Sequence, residues 1–323
     1  MTRLIQTARS MLLCSALLIS PAAHALDSVT VGTVGSASAN LWPVFIGINK
    51  GFFAAEDLKV DLVFVQSSAN LVQQLAAGSL DITMSTGLVD PIRAIDQRAP
   101  LAIVRVEVQA PPYALLAKPS IKSLKELKGK TISLGGPKDI TKIYVERMLA
   151  PHGVKPGEFD MVFAGATSAR ASALQAGAVD AAILLPPFNF QAASAGFNDL
   201  GLTIDYAGDL PFSGTVVNRN WAASHANVMQ RLLKAHSKSV AWFYDDQNRG
   251  EAVKMMVDAS RLKSEDVEKS YDFFRKGSFF ERTGTISQTK LNALLDALQS
   301  LGDLQGPRTI ERFILPGVTQ LSN

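Results

Sequence analysis

The residues of this chain that could do chemistry are few and far apart. Past residue 25 there are three histidines, and each has an ordinary place. His152 follows a helical run just before Gly153, where a cation suits the helix dipole; His225 adjoins a capping serine, Ser224; His236 lies on an apolar helical face. No His-Glu-x-x-His, Gly-x-Ser-x-Gly or Gly-x-Gly-x-x-Gly pattern occurs. Acidic residues are mostly scattered over helical faces as solvated charges. The chemistry left to expect is non-covalent, from hydroxyls, amides and aromatic rings gathered in short loops, with no catalytic residue, metal or cofactor.

The elements that must position those loops follow from hydrophobic pattern. Val29 to Val34 reads as a buried strand that stops at the small residues Gly35-Ser36-Ala37-Ser38-Ala39. Asn40 is placed to cap a helix over Leu41 to Gly51, with Pro43 in its first turn. Strand Val60 to Val65, helix Ala69 to Ala77 and strand Leu80 to Ser85 continue the alternation that builds a parallel sheet covered by helices. A helix from Val89 to Arg98 and a strand Leu101 to Val108 lead to Pro111-Pro112, read as a crossing between domains.

Beyond a strand from Tyr113 to Lys118 the pattern repeats: strand Thr131 to Leu134, helix Asp139 to Ala150, strand Phe159 to Ala164, helix Ser168 to Ala176, strand Ala181 to Leu185. Leu75-Ala76-Ala77-Gly78-Ser79-Leu80-Asp81-Ile82 echoes Leu174-Gln175-Ala176-Gly177-Ala178-Val179-Asp180-Ala181, a helix closed by Gly and a turn holding Asp in both. After a strand from Gly214 to Asn218 the chain is mostly helical. Met229, Leu232, Leu233, His236, Val240 and Phe243, then Val267, Tyr271 and Phe274, then Leu291, Leu294, Leu295 and Leu298 form packing faces.

A ligand of an open parallel sheet sits beyond the carboxyl ends of the strands. That rule selects Ser36, Ser38, Asn40 and Trp42 after the first strand, and Ser85 and Thr86 after the third. In the repeat it selects Lys138, Asp139 and Thr141, then Thr167, then Pro187 and Phe188. Gln109, Phe212 and Ser213 are added from the crossings. Helix N-termini in these loops can hold a carboxylate or sulfonate without an arginine, Lys138 being the one basic side chain at a predicted mouth loop. Trp42, Phe188 and Phe212 could stack on a flat ligand. The same residues also suit plainer roles, since Ser and Asn before helices are ordinary caps and aromatic rings are ordinary core.

Composition narrows the field. Of 323 residues 47% are hydrophobic and 19% charged, a globular balance with a formal charge of +3. Arg3 and Arg9, an apolar run from Met11 to Ile19 and the small-residue box Ala23-His24-Ala25 have the layout of an export signal cleaved after Ala25; nine apolar residues are too few to span a bilayer. Cleavage removes Arg3, Arg9, Cys14 and His24 and leaves 298 residues with 30 basic against 29 acidic side chains and no cysteine. Thiolate metal sites, disulfides and a cysteine nucleophile are thereby excluded, and a nucleic-acid partner is not expected from a chain so nearly neutral.

Four stretches resemble a known family: Trp42 to Phe53, Asp57 to Leu62, Leu124 to Thr131, and Ala173 to Ala181 with Pro186-Pro187-Phe188. The chain is similar to the periplasmic substrate-binding proteins of ABC importers for nitrate, sulfonates, taurine and thiamine-pyrimidine precursors. It departs from them at Asn49, where a small residue is usual, and at Asp57, where Gly is usual. The resemblance implies an α/β, two-lobed periplasmic-binding-protein fold of type II, two α/β lobes joined by two hinge crossings. It places the signal at residues 1–25, the first lobe at 26–110 and 214–323, and the second lobe at 111–213. The implied function is capture of a small molecule, aromatic, heterocyclic or an organic acid or sulfonate, by an exported monomer that serves an ABC importer permease. Two alternatives remain open: a pyrimidine-precursor enzyme on the same fold, and a ligand sensor for a signalling receptor.

Overall fold

A computed structural model describes residues 26–323; the expected export signal, with Cys14, lies outside the described residues. The chain forms strands β1 (Asp27–Val34), β2 (Leu58–Val65), β3 (Ile82–Gly87) and β4 (Leu101–Val108), with helices α1 (Trp42–Asn49), α2 (Ser68–Ala76) and α3 (Val89–Asp96) between them. It then forms β5 (Ala114–Ala117), β6 (Thr131–Leu134), β7 (Asp160–Phe163), β8 (Ala181–Leu184) and β9 (Asn198–Leu202). Their helices are α4 (Ile140–Leu149), α5 (Thr167–Gln175), α6 (Phe188–Ser194) and α7 (Ile204–Ala207). After β10 (Ser213–Asn218) come α8 (Arg219–Ser224), α9 (Ala226–Phe243), α10 (Arg249–Ser260), α11 (Ser264–Lys276) and α12 (Gln288–Ser300), with the short pair β11 (Ile286–Ser287) and β12 (Leu321–Ser322).

Two five-stranded sheets result, in the orders β2-β1-β3-β10-β4 and β7-β6-β8-β5-β9. Each has a parallel core, as the strand-helix alternation requires, and each takes in one reversed strand. β10 runs antiparallel to β3 and β4, and β5 antiparallel to β8 and β9. The sheets are therefore mixed where the sequence reads as parallel. The reversal is forced by the two passages between sheets: a chain that leaves one sheet for the other and returns re-enters in the opposite sense.

The sequence reading places most elements within a few residues but does not resolve α7, α8 or α10, and it omits α6 and β9. Both are short, α6 carries only three buried positions, and β9 is an edge strand with partly exposed residues, so neither shows a clear period. Of the five helices after β10, α9, α11 and α12 bury the predicted faces, including Met229, His236, Tyr271, Phe274 and Leu294. At the outer edge of the first sheet, β4 is buried along its whole length because the C-terminal segment covers it, with bridges from Ile103 to Ile314 and from Val108 to Phe280.

The repeated octapeptide proves to be one structural device used twice. Asp81 accepts the Thr30 amide of β1 at 2.7 Å, and Asp180 accepts the Thr131 amide of β6 at 3.0 Å. Gly78 and Gly177 adopt the left-handed conformation (φ 77° and 73°) that ends the preceding helix. Asp180 also binds Lys118 at 2.9 Å; this bond, then the Thr131 amide, holds its carboxyl below the usual carboxylate range. A depressed folded value contributes stability above the unfolded carboxylate range and loses it as pH falls through the folded value. Asp180→Ala should cost about 1–3 kcal/mol at pH 7, read from urea unfolding, and the gap from wild type should shrink toward pH 3.

Candidate functional site

The carboxyl ends of both sheets face one another across a cleft whose sides are in contact. The Ala39 amide of the first lobe donates to the Pro186 carbonyl of the second at 2.8 Å. Ser194 of α6 donates to Asp266 of α11 at 2.8 Å, and Arg93 of α3 donates to the Lys138 carbonyl. Gly165, after β7, passes so close to Gln66, after β2, that a Cβ there would lie 2.3 Å from the Gln66 carbonyl oxygen.

Between the lobes lies an inner cavity of about 50 Å³, which shares lining residues with an outer space of about 490 Å³. The inner cavity brings together Ser38, Asn40, Ser85, Asp139, Thr167 and Phe212 from the residues that strand-end logic selects. Phe212 lies on the second crossing, edge-on to Tyr113 with ring centroids 5.1 Å apart.

The rest of the selected set lies elsewhere, for identifiable reasons. Ser36 is exposed in the turn after β1. Trp42 is fully buried, donates its ring N–H to the Ala252 carbonyl at 2.7 Å and packs on Phe243, Tyr271 and Phe274, so it is core rather than a stacking platform. Phe188 is the first residue of α6 and is buried beside Ala114 and Leu184 against the second sheet; Pro187 caps that helix. Thr86 and Ser213 are fully buried. Gln109 is tied into the hinge, donating to the Ser278 carbonyl at 2.9 Å. Lys138 turns its side chain outward at the rim of the outer space. Thr141 acts behind the cleft, accepting the Gly135 amide at 2.9 Å and donating to Asp139 at 2.5 Å.

Two of the selected residues owe their position to a buried acid. Ser85 stands at φ 53°, a left-handed conformation uncommon for a non-glycine residue. Glu107, on β4, accepts the Ser85 amide at 2.9 Å and its hydroxyl at 2.8 Å, and also the Thr215 hydroxyl. Ser85 Oγ lies 2.7 Å from the Asn40 carbonyl, and Asn40 Nδ2 donates back to the Ser85 carbonyl at 3.4 Å. Asn40 is thereby fixed inside a short 3-10 turn, Ala39–Leu41, instead of capping α1. Its Oδ1 is buried and without a protein partner. Burial pushes the Glu107 carboxyl up and the His236 imidazole, 3.7 Å away, well down, so the neutral forms of both are favoured.

The residue that sequence reasoning misses is Arg170. It lies one turn into α5, only 3% exposed, and lines the inner cavity. Its Nε donates to the Ile183 carbonyl at 2.8 Å, Nη1 to the Gly165 carbonyl at 2.5 Å and Nη2 to the Thr167 hydroxyl at 2.8 Å. Each partner is neutral, and among the described residues no carboxylate forms an ion pair with it. Asp139, across the cavity, accepts the Thr141 amide at 2.9 Å as the N-cap of α4. Arginine in the first turn of a helix is disfavoured by the dipole. That misfit was the legible signal: a cation there needs a reason to stay.

The sequence matches the family described as NMT1/THI5 like over residues 38–249. The chain belongs to the NMT1/THI5-like family. No curated protein sequence matches it. Among solved structures it is similar to the alkanesulfonate-binding protein SsuA from Xanthomonas axonopodis pv. citri bound to MOPS. The two are 17% identical, with 91% of this chain and 98% of that one covered at a TM-score of 0.73. The periplasmic nitrate-binding protein NrtA from Synechocystis PCC 6803 is 16% identical, with 76% and 70% covered and a TM-score of 0.66. The desulfurization enzyme DSZB shares the architecture at 12% identity, with 90% and 97% covered and a TM-score of 0.67. The two-lobed periplasmic-binding-protein fold is common to them, and it carries both binding proteins and an enzyme.

Two outcomes separate core from cleft. Trp42→Ala should lower stability by about 3–5 kcal/mol, as emptying a buried aromatic site does, measured by chemical denaturation. Gly165→Ala should hold the lobes apart, because its Cβ meets backbone from the other lobe and its φ of 73° disfavours a side chain; small-angle scattering should give a larger radius of gyration than wild type.

Proposed function

We propose that this family member is an exported solute-binding protein that holds a small organic anion between its lobes and delivers it to an ABC importer. The observation that carries the reading is Arg170, a buried guanidinium at the cavity wall with only neutral acceptors from its own chain. A buried charge costs several kcal/mol unless it is paired, and a ligand carboxylate or sulfonate would supply the pair.

The size of the space supports a division of labour. The inner cavity of about 50 Å³ suits an anionic headgroup, since about 10–15 Å³ of such volume holds one water. The outer space, with Pro137 and Phe163 in its wall, would take the organic body. The unpartnered Asn40 Oδ1 would accept a hydrogen bond from a ligand N–H or O–H. Ligand contacts from both lobes favour the closed form, which a permease could distinguish from the open one.

The cleft gives no support to the enzyme alternative on this fold. His152, His225 and His236 are absent from the inner cavity's lining, and its one acid, Asp139, is engaged in capping its helix. NrtA, the nitrate-binding protein of similar fold, is a periplasmic protein, which supports the same compartment here.

Thermal unfolding of the purified protein with acetate, methanesulfonate, nitrate or MOPS, against glycerol as a neutral control, tests the reading. At least one anion should raise the midpoint, and Arg170→Met should weaken its binding about 30-fold or more, as truncating one partner of a buried charged pair does. Stabilisation that survives in Arg170→Met would overturn the assignment of the anion to Arg170. Mass spectrometry should recover the bound anion chemically unchanged, and a converted product would replace the binding role with an enzymatic one.

A further inference from the structure

A second group of charges spans the cleft on its outer side. Asp90, in the first turn of α3, belongs to the first lobe, and Asp139, the cap of α4, to the second; both line the outer space. Arg93, one turn further along α3, has a side chain only 10% exposed. It donates to the Lys138 carbonyl of the second lobe and to the Asp303 carboxylate of the first, and its Nη1 lies 3.7 Å from Asp90. The bond to Lys138 can exist only while the lobes touch. Gly135 to Asp139 line the same space as Asp90, whose side chain is only 12% exposed, so withdrawing the second lobe would open that carboxylate to water.

We propose that Asp90 and Arg93 are positioning residues for closure: Arg93 latches the lobes, and Asp90 makes closing take up a proton. This inference rests on the reading of a two-lobed binder that opens and closes.

The charged groups facing Asp90 are Asp139 from α4, Asp303 from the segment after α12, and Arg93 on its own helix. Ser68 of α2 lies beside it, and the Lys138 side chain stands at the exposed rim. With Asp303 holding one arm of the guanidinium and the Lys138 carbonyl the other, Asp90 receives only part of the cation's compensation. Its carboxyl is pushed up to about 6, by burial first and by Asp139 second. Withdrawing the second lobe removes much of both effects, and the value returns toward the ordinary carboxylate range near 4. The closed form therefore holds the proton more tightly. Closure is helped increasingly as pH falls from about 7 to about 4, and gains nothing above that window. Between pH 7 and pH 5 the closing equilibrium should shift by up to about tenfold.

Spin labels at Phe64→Cys on β2 and Val162→Cys on β7, exposed positions on opposite lobes, report the separation by double electron–electron resonance in a full chain carrying Cys14→Ser. In wild type the short-distance fraction should rise between pH 7.5 and pH 5. Asp90→Asn should hold that fraction high at both pH values, and Arg93→Ala should lower it at both relative to wild type. Asp139→Asn, which keeps a capping side chain, should move the transition to lower pH and serves as the readout should Asp90→Asn fail to fold. If Asp90→Asn, or in its place Asp139→Asn, follows pH as wild type does, the proton coupling is overturned. If wild type ignores pH while Arg93→Ala opens the lobes, the coupling is likewise overturned and the closing motion stands. If neither pH nor Arg93→Ala changes the distance, the lobes do not move, and the closing-binder reading fails with it.

Discussion

The double passage of the chain between two sheets is the constraint on which the rest of the molecule depends. Val108 and Phe212 stand side by side at the two crossings, the Phe212 amide donating to the Val108 carbonyl at 3.0 Å. The return strand β10 must then lie between β3 and β4, and this places Thr215 next to Glu107 and Phe212 at the cavity wall. With two passages, the carboxyl ends of both sheets are held face to face, and the proposed closing motion would change the distance between them as a single coordinate.

Charge is distributed around that coordinate unevenly. Behind the first-lobe wall Glu107, His236 and Arg105 are buried together, with the acid satisfied by hydroxyls and an amide and the imidazole favoured in its neutral form. At the second-lobe wall Arg170 is buried with carbonyls and a hydroxyl only. The first arrangement lies behind the cleft and leaves both His236 nitrogens and two Arg105 nitrogens without a hydrogen-bond partner, while at the second the proposed ligand anion would supply the missing countercharge. On the outer side Asp90, Arg93, Asp139 and Asp303 meet from two lobes, so any separation of the lobes would change their balance.

The octapeptide echo shows how a local signal can report a device without revealing its use. Gly78 and Gly177 are required by left-handed backbone, and Asp81 and Asp180 by amides of neighbouring strands. The spacing is visible in sequence because both ends of the device lie within eight residues. The partners Thr30 and Thr131 lie 51 and 49 residues away, and nothing in the pattern points to them.

By itself the sequence determined the alternation of strands and helices, the strand-end loops, the doubled plan and the family, because each is written in short-range periodicity or contiguous motif. Ser38, Asn40, Ser85, Asp139, Thr167 and Phe212 could be placed near a cleft for that reason. Only the tertiary structure decided which loop residues turn inward. Trp42 went to core because helices late in the chain, at Phe243, Tyr271 and Phe274, close over it, and Phe188 because the second sheet brings the distant Ala114 as well as the nearby Leu184 against it. Arg170 came to the cavity wall because α5 points its first turn at the opposite lobe, and a charge becomes costly, and so informative, only once burial has removed its water.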